Sequence, residues 1–118
     1  MRVLVVDDEH LITDTICAIL NANGFNAVGA YSGAEALQAA TELQPEIVLS
    51  DVLMPRMSGV DLGIQLRSLF PDARIILLSG QASTSTMIQR AEADGHQFML
   101  FPKPIHPDDL IARLRKLG

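Results

Sequence analysis

Residues 2–9 read Arg2-Val3-Leu4-Val5-Val6-Asp7-Asp8-Glu9, a short aliphatic run that stops abruptly against three acids. An unbroken apolar run of this length suits a strand buried on both faces, as in a parallel sheet. The next segment changes period. Leu11, Ile12, Ile16, Ile19 and Leu20 recur at helical spacing, and Gly24 stands where a helix should stop.

The couplet of apolar run and helical segment returns four more times, with runs at residues 25–30, 46–50, 74–78 and 97–101. The second helix opens on the capping-box pattern Ser32-Gly33-Ala34-Glu35, carries Ala36, Leu37 and Ala40, and ends before Pro45. Ser58 caps a third helix with Leu62, Leu66 and Leu69 on its apolar side, closed by Pro71. A fourth spans roughly residues 83–93 and is rich in Ser and Thr. The fifth starts at Pro107, has Asp108 and Asp109 in its first turn, and shows Leu110, Ile111, Leu114 and Leu117 on one side.

Strict alternation predicts an α/β fold, because each crossover must return to the same sheet in a right-handed sense. Five strands are too few for a closed barrel, which needs eight. The expected architecture is a flavodoxin-like (βα)5 three-layer sandwich, a parallel five-stranded sheet in order 2-1-3-4-5, built as one domain over residues 1–118.

Composition narrows the function. The chain is 48% hydrophobic and 19% charged, which is globular, and its aromatic content of 4% predicts an aliphatic core. The apolar runs are far too short to span a bilayer, and Met1-Arg2 leads straight into a run ended by acids, with no signal-peptide pattern. The lone Cys17 fits a reducing compartment, so a cytoplasmic protein is expected. A net charge of -5 with scattered Lys and Arg argues against direct binding of nucleic acid. Arg113, Arg115 and Lys116 are read as cations complementing the dipole of the last helix. His10, His96 and His106 have no metal-ligand spacing and are read as surface residues.

In an open parallel sheet, function gathers beyond the carboxyl ends of the strands. Asp7 and Asp8 follow the first run, Asp51 the third, Ser79 the fourth and Lys103 the fifth. In the order 2-1-3-4-5 these strands are neighbours, so three carboxylates, a hydroxyl and an ammonium should meet at one rim. Converging carboxylates need a cation. Magnesium, which takes oxygen ligands and keeps company with phosphate, suits the set. An ionised Asp is itself a nucleophile toward phosphorus and needs no base.

On the motifs Val3-Leu4-Val5-Val6-Asp7-Asp8-Glu9, Asp51-Val52-Leu53-Met54-Pro55-Arg56-Met57-Ser58-Gly59, Leu78-Ser79-Gly80 and Lys103-Pro104, the chain resembles the response-regulator receiver domains of two-component signalling over its whole length. Singly these motifs are weak, but all four in order at strand ends are specific. The resemblance implies a phosphorelay: a histidine kinase or histidine phosphotransfer domain phosphorylates Asp51, and the change alters affinity for an output partner, with a phosphorylation-dependent dimer among the outcomes. It implies Mg²⁺ held by Asp8 directly, by Asp7 mostly through water, by Asp51 and by the Leu53 carbonyl. Ser79 and Lys103 would each bind a phosphoryl oxygen, and the Lys103-Pro104 peptide would be cis. The domain would catalyse its own phosphorylation and dephosphorylation and turn over no external substrate.

Three departures stand out. Leu100 occupies the position where receivers usually carry an aromatic residue that completes the output switch, and Phe101 is one residue off and so on the opposite strand face. Pro102 precedes the lysine, which an edge strand tolerates. Leu53 and Gln81 fall where receivers control water access to the phosphoryl group. A receiver-like adaptor working without phosphorylation is the alternative. A phosphatase of the haloacid dehalogenase type wants Asp-x-Asp after the first strand, and here Asp7 and Asp8 are adjacent.

Overall fold

The computed structural model describes residues 1–80 and 85–117. Strands and helices alternate: β1 (Arg2–Val6), α1 (His10–Ala22), β2 (Asn26–Ala30), α2 (Gly33–Leu43), β3 (Ile47–Asp51), α3 (Gly59–Leu69), β4 (Arg74–Ser79), α4 (Ser85–Ala93), β5 (Met99–Pro102) and α5 (Pro107–Leu117). Every pairing is parallel, and the sheet runs β2-β1-β3-β4-β5. The expected fold and strand order are therefore observed. Boundaries move by a residue or two, and two shifts matter: Asp51 and Ser79 are the last residues of their strands, not the first of the loops.

Successive side chains of a strand point to opposite faces. Val3 and Val5 of β1 enter the core layer shared with Leu20 of α1 and with Leu110 and Leu114 of α5. Leu4 and Val6 enter the opposite layer, with Ala36 and Ala40 of α2, Leu62 and Leu66 of α3, and Ile88 of α4. Both faces of the sheet are thus covered, which is why the runs are apolar without alternation.

Local signals work as read at most helix ends. Ser32 Oγ accepts the N–H of Glu35 at 3.1 Å and Ser58 Oγ that of Asp61 at 3.1 Å, so both serines cap their helices. In α1 the expectation that Leu11 belongs to the buried stripe is wrong: Leu11 is 79% exposed. The inward stripe is Thr13, Ile16, Cys17 and Leu20, and two residues back along a helix lie roughly 200° away. Leu69 is likewise 61% exposed. It ends α3 beside Arg2, Glu46 and Arg74 at the amino ends of the strands, where the sheet no longer lies beneath the helix.

Leu66→Ala removes a side chain with no solvent exposure and is expected to cost about 2–5 kcal/mol by urea unfolding, against less than about 0.5 kcal/mol for Leu69→Ala on the same helix.

Candidate functional site

The site is assembled by register. Val6 of β1 lies opposite Ser50 of β3, so the next residue on each strand, Asp7 and Asp51, emerges side by side at the carboxyl rim. Asp51 pairs with Leu78 of β4, which puts Ser79 one residue further at the same rim. Ser79 in turn pairs with Pro102, and its carbonyl accepts the Lys103 N–H at 3.3 Å. Pro102 has no N–H to give, and β5 is an edge strand, so the proline is accommodated. The Lys103-Pro104 peptide is cis, as the resemblance implies.

Lys103 reaches across β4 to the two acids. Its Nζ stands 3.3 Å from Asp7 Oδ2 and 3.3 Å from Asp51 Oδ1. Asp7 is 1% exposed, and its Oδ1 also accepts the Glu9 N–H at 3.0 Å. Asp51 Oδ1 accepts the Val52 N–H at 3.0 Å. Asp7, Asp8 and Asp51 each offer a carboxylate oxygen within 4.8 Å of the others. These are hard oxygen donors of one sign facing one point, the donor set that Mg²⁺ takes. An open cleft of about 490 Å³, lined by Asp8, Glu9, Asp51, Leu53, Lys103 and Pro104 among others, gives access to them. Asp8, Asp51, Leu53 and Lys103, all expected from the sequence, thus border one space, and the buried Asp7 carboxylate stands beside those of Asp8 and Asp51.

The electrostatics follow from this arrangement. Burial pushes the Asp51 carboxyl above its ordinary value, and the Asp7 carboxylate adds to the push. Lys103 and the Val52 N–H oppose it without cancelling it. Burial by itself pulls Lys103 down, but the Asp51 and Asp7 carboxylates outweigh it and hold the ammonium above the usual lysine value. The lysine is the counter-charge of the acid pair in this state.

Local packing sets where Asp51 stands. Gly59 N–H donates to the Val52 carbonyl at 2.8 Å, and a Cβ at Gly59 would overlap the Asp51 carbonyl oxygen, so only glycine lets α3 begin this close to the strand end. Gln81 lies outside the described residues. Leu100 is 44% exposed on the edge strand and Phe101 is 5% exposed, facing the α5 side, so no aromatic ring occupies the Leu100 position and Phe101 does not substitute for it. Met54 and Met57 pack partly buried against the core. His10 stacks on Tyr31 with ring centroids 3.7 Å apart, a pairing the sequence pattern does not anticipate. Nor does it single out Thr13, whose hydroxyl donates to the Asp7 carbonyl at 2.8 Å. A polar residue inside an otherwise aliphatic helical stripe was the available signal.

The sequence model of the response regulator receiver domain matches residues 3–115. The chain belongs to that family. This receiver is 34% identical over 117 residues to the response regulator MprA of Mycobacterium avium and 33% identical to that of Mycobacterium ulcerans, matching 99% of its own length and 50% of theirs. It therefore spans about half the length of these curated relatives. Among solved structures it is similar to a CheY-like response regulator receiver domain protein of Methanospirillum hungatei (TM-score 0.86, 27% identity, 98% of this chain and 91% of that one). It is also similar to the chemotaxis protein CheY4 of Vibrio cholerae (TM-score 0.83, 28% identity, 99% and 98%). A receiver acts in two-component signalling, and Mg²⁺ is typical of the family. Among the described residues no helix is long and apolar enough to cross a membrane.

With metal chelated, Lys103→Met leaves the facing carboxylates without their counter-charge. A carboxyl whose folded-state pKa is raised destabilises the fold when ionised; that cost is absent below its unfolded value and complete above its folded one. The variant is therefore expected to be less stable than the parent at about pH 7, and the gap to shrink as the pH falls through the raised folded value toward the ordinary 3.8 of the carboxyl, read as urea midpoints. A gap of constant size would contradict the pairing.

Proposed function

We propose that this receiver accepts a phosphoryl group on Asp51 from a histidine kinase or a histidine phosphotransfer domain, in a Mg²⁺-dependent reaction, and so switches its affinity for an output partner. The observation that carries this reading is the meeting of Asp7, Asp8 and Asp51 within 4.8 Å, with Lys103 between two of them. The Asp7, Asp8 and Asp51 carboxylates and the Leu53 carbonyl would hold the metal. Bound Mg²⁺ would supply neutralisation of charge on the transferring phosphoryl oxygens.

The chain's own groups do the rest. An oxygen of ionised Asp51 forms the new bond to phosphorus while the phosphorus–nitrogen bond of the donor phosphohistidine breaks, and the imidazole leaves with that electron pair. Asp51 has no proton to lose, so no base is required. Lys103, whose ammonium stands 3.3 Å from Asp51 Oδ1, would pair with one phosphoryl oxygen, and Ser79, at the same rim, with a second. Hydrolysis ends the signal: a water oxygen bonds to phosphorus, the bond from phosphorus to the Asp51 oxygen breaks, and orthophosphate leaves with the Asp51 carboxylate restored, so the domain catalyses changes to itself and turns over no separate substrate.

Phosphorylation then acts as a ligand for one of two populations. The apolar edge of β5, where Met99 and Leu100 are exposed, supports assigning the responsive surface to that strand and the flanking α4 and α5. Leu100 also favours a second reading, an adaptor that works without phosphorylation. The two part on Mg²⁺ titration: the adaptor needs no binding at the acidic rim.

Incubation with an acyl phosphate and Mg²⁺ is expected to add one phosphate per chain, detected by intact mass, and Asp51→Asn to abolish it. Equal labelling of the Asn variant would sink the assignment of Asp51.

A further inference from the structure

Between Val6, the end of β1, and His10, the start of α1, the chain has three residues in which to turn. Two of them, Asp7 and Asp8, carry carboxylates of the site. Glu9 is the N-cap of α1 and makes no side-chain capping bond, so the turn is held by other means. The Asp7 N–H donates to the Ala30 carbonyl of β2 at 3.2 Å, and Asp7 Oδ1 accepts the Glu9 N–H. The Asp7 carbonyl accepts the Thr13 hydroxyl at 2.8 Å.

Thr13 is wholly buried on the inward stripe of α1, where a hydroxyl is costly to leave unpaired. Its branched Cβ allows few rotamers. The methyl points at Gly29 of β2: a Cβ there would come within 2.6 Å of Thr13 Cγ2. Glycine weakens a strand unless close approach requires it, and here it makes the notch for this methyl. With the methyl in the notch, the hydroxyl is aimed at Asp7.

The carbonyl it binds belongs to a planar peptide whose two ends are the Cα atoms of Asp7 and Asp8. Holding that plane holds the points from which both carboxylates leave the backbone. We infer that Thr13, seated on Gly29, is a positioning residue for the acidic turn, orienting Asp7 and Asp8 together through the peptide that joins them. The inference rests on the Mg²⁺ reading of the site.

The test compares T13V, which keeps the shape and removes the donor, with T13S, which keeps the donor, and with G29A, which fills the notch. Mg²⁺ affinity is measured by calorimetric titration, and hydrogen exchange at the Asp8 amide is measured with metal chelated. T13V and G29A are expected to weaken Mg²⁺ about tenfold or more and to speed Asp8 exchange, whereas T13S stays within about twofold on affinity. Folded T13V with parental affinity and parental exchange overturns the inference, and so does equal weakening by T13S and T13V. If T13V does not fold, T13A replaces it. Failure of both hydroxyl-free variants to fold overturns the inference too, since the hydroxyl would then hold the fold and not aim the turn. A parent chain that binds no Mg²⁺ sinks the metal reading itself, whereas normal parental binding with unaffected variants sinks only the role of Thr13.

Discussion

Asp7 and Asp51 stand side by side at the ends of adjacent strands, and Lys103, two strands further along from β3, puts its ammonium 3.3 Å from each. Two carboxylates this close and this shielded from water repel one another and lose hydration, and the lysine offsets both effects. The rest of the site is arranged around that three-way contact. The cleft beside it is lined by Asp8, Asp51, Leu53 and Lys103, whereas Asp7 is buried.

Such a cluster is a poor way to gain stability. Asp51 keeps a raised pKa even with the lysine beside it, so part of the desolvation and repulsion is not offset. What tolerates it is the sheet beneath. Five parallel strands covered on both faces bury Val3, Val5, Leu49 and Ile76 on one side and Leu4, Val6, Val48 and Leu77 on the other, and the charged groups are confined to the rim that this core leaves over. The same division separates the acidic rim, which sits on strand ends held by the core, from the edge strand β5, where Met99 and Leu100 are exposed.

The differences between sequence pattern and structure have specific causes. Leu11 and Leu69 look like members of apolar stripes because periodicity counts residue types along a helix. It does not say where the sheet beneath the helix stops or which phase of the stripe meets it. Thr13 escapes notice for the converse reason. A threonine among isoleucines lowers the apolar score of its stripe, and its partner is a backbone carbonyl, which no side-chain pattern marks. Gly29 is equally silent, since its role is to be absent where another residue's methyl must go. The stacking of His10 on Tyr31 joins the first residue of α1 to the turn after β2, and no local signal announces it.

What the amino-acid sequence determined by itself was the alternation of strand and helix, the caps at Ser32 and Ser58, and the identity of the polar residue that follows each apolar run of the site. Those are local properties: periodicity, turn chemistry and composition act over a few residues and can be read without knowing the fold. Only the tertiary structure decided that Asp7 and Asp51 share one lysine, that Asp51 and Ser79 end their strands instead of opening the loops, and that Thr13 holds the backbone between two acids. Distances between groups tens of residues apart come from strand register and helix packing, and burial and charge act through those distances.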